Sequence, residues 1–167
     1  MGLSMHQVCV PTVTRALNNL IGILEKGAAH CEAKKIDPAV MIASRLYPDM
    51  FPLSKQVQIA SDIGKSGPSR LVGVEAPKYE DNEASFADLI ERLRKTIKYV
   101  EGLKPEQFDG AETRTVKWVQ QEKNMEQVGK DYLFKRVIPN VLFHCSTAYN
   151  ILRHNGVEIG KRDYLGN

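Results

Sequence analysis

Few side chains in this 167-residue sequence combine a type and a setting suited to chemistry. The stretch NVLFHCSTAYNILRHNGVEIG, residues 140–160, holds two of the four histidines, His144 and His154. Read as one helix at about 100° per residue, it carries Val137, Val141, Ala148, Ile151 and Leu152 on an apolar stripe about 100° wide. His144 falls inside that stripe. His154 lies about 80° round the axis and about 15 Å along it, so the two imidazoles cannot chelate one ion or share one proton.

His144 is therefore the residue to explain. An imidazole titrates near neutrality and can act as a general acid or base. In that reading His144 and Tyr149 are the catalytic candidates, and Gln56, Gln58, Asn140 and Asp62 bind or orient a substrate. Asn140 stands one turn back on the edge of the same face. Gln56 lies inside the apolar arc of the second long helix, whereas Gln58 and Asp62 lie outside it, and Asp62 becomes a partner only if that helix is rotated. The plainer alternative makes His144 a buried imidazole held by one amide, because buried ring nitrogens need partners. The other histidines have simpler explanations. His154 sits near a helix C-terminus, where a cation is favoured. His30 points away from its own helix's stripe and is expected in solvent, and His6 precedes regular structure. Arg45 and Asp49, four apart, are expected to pair around a helix entry.

The elements that must position these groups follow from periodicity. Val10, Val13, Leu17, Leu20, Leu24, Ala28 and Cys31 recur at helical spacing, with Pro11 in the first turn and Gly27 a point of loosening. A short helix, PAVMIASRL, follows. The next long helix starts after an Asp49 N-cap, buries Leu53, Val57, Ala60 and Ile63, and is expected to bend or end at Gly67-Pro68. Beyond a polar linker around Pro77, Phe86, Leu89, Ile90, Leu93, Ile97 and Val100 form a third stripe, with Glu91, Arg92, Arg94, Lys95 and Lys98 off it. TRTVKWVQ and NMEQVG alternate as a small hairpin. The last helix runs from about Asp131 to Asn155, kinked at Pro139, with Gly156 after its end. The expected fold class is all-α: a four-helix bundle with one short extra helix and a small β-hairpin before the last helix. One domain, 1–167, has its core at about 8–157 and a tail at 158–167.

Composition narrows the partners. The net charge is only +3 and no basic cluster stands out, so nucleic acid is not expected. Cys9, Cys31 and Cys145 form no metal-knuckle or disulfide spacing and fit a reducing compartment. No apolar run approaches a membrane span and the N-terminus has no signal region, so a cytoplasmic protein is expected. No HExxH, P-loop, GxGxxG or GxSxG motif occurs.

Two blocks, IDPAVMIASRLYPDMFPLSKQVQIASD and NVLFHCSTAYNILRHNGVEIGKRDYLG, resemble an uncharacterised family of bacterial and fungal proteins. Its marks are Arg-Leu-x-Pro-Asp-Met-Phe-Pro before the second long helix and Phe-His-x-x-x-Ala-Tyr-x-x-Leu-Arg-x-x-Gly in the last. The family is similar to the DinB/YfiT-like four-helix bundles, whose better-known members bind a divalent metal through three histidines, some acting as thiol transferases or hydrolases. Setting Leu152-Arg153 on that pattern puts His144 and Asn140 at the two last-helix ligand positions and Gln58 near the third. One histidine of three remains, and amides are poor ligands for zinc or nickel. The resemblance thus implies a DinB-like bundle with a degenerate metal site and no cofactor, unless carboxylates such as Asp62 or Asp49 complete a metal-dependent enzyme. The core pocket around His144 would then bind a small molecule. Superfamily habit also implies a homodimer, and the non-catalytic alternative is a homodimeric interaction protein in which His144 is only an anchor.

Overall fold

The computed structural model describes residues 2–166 and is built on four long helices. Helix α1 spans Met5–Lys34, α2 Pro38–Ala43, α3 Leu53–Val72 and α4 Phe86–Glu101. A 3₁₀ turn at Pro105–Phe108 leads to the strands β1, Thr115–Gln120, and β2, Lys123–Val128. Helix α5, Gly129–Tyr132, runs through a π-helical segment, Leu133–Val137, into α6, Ile138–His154, and α7 covers Lys161–Leu165. The fold is all-α apart from one two-stranded antiparallel hairpin, with Trp118 opposite Met125.

Helices α1, α4, α3 and α6 follow one another round the bundle, each packing on the next. Their apolar stripes meet in one core that includes Leu17, Leu24, Leu53, Leu89, Leu93, Val141 and Ile151. Local chemistry sets the boundaries. Ser4 and Gln7 form a reciprocal capping box that starts α1 at Met5. His6 therefore lies in the first turn, edge-on to Phe108 at 5.3 Å, and Pro11 lies inside the helix rather than at its start. Gly27 does not loosen α1. It lies under Leu152 and Phe86, where it permits close approach.

Asp49 is not a cap either. It lies in a turn, Pro52 takes the N-cap position of α3, and Arg45 donates to the carbonyls of Pro48 (3.5 Å) and Met50 (3.3 Å). Gly67-Pro68 does not end α3, which continues to Val72 and stops at Gly73 with φ +78°. The missing Pro68 N–H leaves one carbonyl without its helical donor. Against that, a Cβ on Gly67 would come within 2.5 Å of Val137, so the bare glycine lets α3 and the last helix close on each other.

Where a kink is expected at Pro139, a π-helical segment, Leu133–Val137, ends two residues before it, and such a wider turn accommodates a residue unable to donate. Gly156 follows α6 at φ +89°. Residues 158–167, expected as a tail, include α7, which docks on α1. Ser85 caps α4 by accepting from Asp88 N at 3.1 Å. Within α4 one residue placed off the apolar stripe is nonetheless buried: Arg92 is only 3% exposed.

Candidate functional site

His144 is 8% exposed, and its Nδ1 lies 2.7 Å from Gln56 Oε1 across the α3–α6 seam. Gln56 is itself buried and its Nε2 donates to the Phe51 carbonyl at 3.1 Å. The amide's donor end is thus committed to the backbone, and its carbonyl oxygen must accept from His144. That fixes the tautomer: Nδ1 carries the proton and Nε2 holds the lone pair. Among the described residues the only buried side-chain nitrogen or oxygen without a partner is Trp118 Nε1. His144 Nε2, which has no protein partner there, therefore reaches the surface. Burial pushes the imidazole pKa below its usual 6.5, favouring the neutral ring. The Phe143 ring stands edge-on to the imidazole at 5.2 Å and is 57% exposed.

The remaining sequence candidates go elsewhere. Gln58 is two residues from Gln56, about 200° round the helix, and donates to Glu83 Oε2 at 2.9 Å. The α3 residue that faces His144 is therefore Gln56, not Gln58. Asp62 accepts from Arg92 Nη2 at 2.8 Å and from Lys65, also on the side away from His144. Tyr149 lies five residues past His144, about 140° away, and packs edge-on against Tyr164 of α7 at 6.1 Å. It is not placed to act with His144. Asn140 is half-buried one turn before His144, and no hydrogen bond joins the two. His154 is exposed, while His30 is half-buried beside Gly156 rather than in open solvent. His144 is not among the residues lining five cavities of 320–680 Å3 on the described residues.

A second polar centre escaped the periodicity reading. Arg92 Nη1 meets Glu83 at 2.9 Å and Asp81 at 3.0 Å, Nη2 meets Asp62, and Nε donates to Ser61 at 3.2 Å. Burial alone would lower the guanidinium pKa, but the Glu83 hydrogen bond and the Asp62 charge outweigh it and hold it above the usual value. The Lys55 hydrogen bond, opposed by burial and assisted by the Arg92 charge, holds Asp81 below the usual carboxylate range. This network ties the 74–85 loop to α3 and α4. The signal in the sequence was the acid-rich YEDNE loop shortly before an arginine flanking the stripe.

A family sequence model described as a domain of unknown function, DUF1993, matches residues 5–165. The chain belongs to the DUF1993 family. It is also 40% identical to a DinB family member protein from Shewanella denitrificans of known crystal structure. That match covers 98% of this chain and 92% of the other, with a TM-score of 0.92. No curated protein matches. The DUF1993 chain is thus DinB-like in family and fold.

The divalent metal associated with DinB-like bundles can be tested against the donors present. At the relevant seam stand one imidazole and two carboxamides, with the Gln56 oxygen already accepting from His144. No group of three His, Cys, Asp or Glu side chains able to hold an ion occurs among the described residues. That donor set does not fit zinc or nickel, which take imidazole, thiolate or carboxylate. Among the described residues no helix is long and apolar enough to cross a membrane.

Proposed function

We propose that this DUF1993 protein binds a small molecule at the surface edge of His144 and uses Nε2 as a general base or polarising group, without a resident metal. One observation carries the reading: Gln56, anchored on the Phe51 carbonyl, leaves the free lone pair of His144 on the accessible nitrogen. The Phe143 ring, edge-on to the imidazole and more than half exposed, offers apolar contact to a ligand at His144. A depressed imidazole pKa keeps the base form populated at neutral pH. The unpaired, buried Cys9, Cys31 and Cys145 support a reducing, cytoplasmic setting.

The test is an NMR titration of the His144 ring over about pH 5 to 8, with and without a small-molecule screen. A titrating Nε2 whose shift responds to a bound compound supports the proposal. A ring locked in one state and indifferent to every compound refutes it. Elemental analysis of untagged, chelator-free protein bears on the metal: stoichiometric zinc or nickel would instead support a metal-dependent transferase or hydrolase.

A second reading rests on the same neighbourhood. Tyr47 (66%), Phe51 (55%) and Phe143 (57%) expose aromatic surface that a homodimer would cover, with His144 as anchor. Sedimentation equilibrium of the wild type and of Phe143→Ser tests it. A monomeric wild type removes this reading.

A further inference from the structure

Helix α7 is attached in an unusual way. None of its residues is buried. Polar clips hold it instead: Arg15 Nε and Nη2 donate to the Leu165 carbonyl at 3.2 and 2.8 Å, and Asn19 Nδ2 donates to the Tyr164 carbonyl at 2.9 Å. Ser146 Oγ donates to Tyr164 Oη at 2.9 Å, and Lys26 pairs with Asp163 at 2.5 Å. Beneath the clips lies a groove of about 320 Å3, with Ala16, Leu20 and Ile23 of α1 on one wall and Leu142 and Cys145 of α6 on the other. Leu20, Ile23 and Cys145 are each no more than 2% exposed, so the floor is dry core surface. Arg15, exposed at the edge, is the one charged side chain among the described residues lining it.

We propose that this groove binds an aliphatic monocarboxylate, its chain under α7 and its carboxylate on Arg15. The site is separate from His144, which faces α3, whereas Cys145 faces α1 and approaches the Ala16 carbonyl. Apolar walls select an alkyl chain, and the lone guanidinium selects an anionic head. The volume sets the length. At roughly 30 Å3 per heavy atom it holds about ten, the size of a C8 acid, and longer chains must displace α7.

Calorimetric titration of the full chain with octanoate and with 1-octanol tests the proposal. Octanoate is expected to bind saturably at one site per chain. Arg15→Gln, which also removes the clip on Leu165, is expected to weaken octanoate at least tenfold more than it weakens 1-octanol, and Ala16→Phe, which fills the groove, to abolish both. Circular dichroism checks that Ala16→Phe is folded. If it is not, Leu142→Trp fills the groove from its half-exposed rim and carries the same expectation. Absence of saturable octanoate binding to the wild type overturns the proposal. So does octanoate binding that persists in a folded, groove-filled variant, or equal losses of octanoate and octanol in Arg15→Gln.

Discussion

Gln56 and His144, eighty-eight positions apart, meet at 2.7 Å through one amide oxygen and one ring nitrogen. The contact joins the helix that follows the 44–52 loop to the last long helix, and the second amide atom of Gln56 pins that loop through Phe51. Two pH predictions follow from it.

His144 has its folded-state pKa below 6.5, held there by burial. In the window between the folded and unfolded values the unfolded chain binds more protons, so stability rises with pH. The contribution is complete above about pH 6.5 and is lost as pH falls toward the folded pKa. Melting temperatures measured from about pH 7 down to 5 are expected to fall, and His144→Gln is expected to flatten that slope. An unchanged slope in the variant would remove His144 as its source.

Gln56→Glu should reverse the sign. A carboxylate against Nδ1 favours the imidazolium and raises the His144 pKa above its unfolded value. Its contribution is then present below about pH 6.5 and lost as pH rises through the new folded pKa. The NMR midpoint of His144 is expected to move up from wild type, and the stability slope attributable to the ring to invert.

Arg92 is the buried half of a network whose carboxylates differ in exposure. Glu83 has 9% side-chain exposure, against 41% for Asp62 and 38% for Asp81. Arg92→Leu strands Glu83 and is expected to cost about 3–5 kcal/mol in urea unfolding. Adding Glu83→Gln, which removes the stranded charge, should recover part of that loss. A double variant no better than Arg92→Leu would place the cost in the other partners.

Three glycines should respond differently to alanine. At Gly22 nothing lies within 4 Å of an added Cβ, so the change should stabilise α1 by about 0.5–1 kcal/mol. At Gly67 the Cβ meets Val137, with an expected loss of about 1–3 kcal/mol. At Gly129 it meets the backbone carbonyl of Ala111, which cannot rotate away, and the loss should exceed that at Gly67. Thermal melts of the three variants give the order directly.

The long helices were legible because their stripes follow from local spacing alone, and the hairpin from its alternation. Its turn was hidden: Gln121 and Glu122 adopt φ +48° and +64° without a glycine to announce them. What failed depends on contacts distant in sequence. Gly67-Pro68 reads as a break until Val137 arrives against it, and Asp49 reads as a cap until Pro52 takes its place. Arg92 looks solvated because its acids come from a loop and from another helix. In the candidate site, helix rotation puts Gln56 opposite His144. The wheel of α3 already separates Gln56 from Gln58 and Asp62; what it does not supply is their partners, Glu83 for Gln58 and Arg92 for Asp62, nor Tyr164 for Tyr149.

The three thiols give the molecule its own clock. Cys9 is sealed in the core, where burial pushes it up to about 12, so an alkylating reagent finds it only when the bundle comes apart, whereas Cys31, also buried, lies in the last turn of α1 and is reached when that end frays. Cys145, equally suppressed at about 12, sits beneath the one helix fastened from outside. Labelling of Cys145 therefore reports access through the groove under α7, labelling of Cys9 counts global openings, and the ratio of the two rates measures how far that side of the bundle opens on its own.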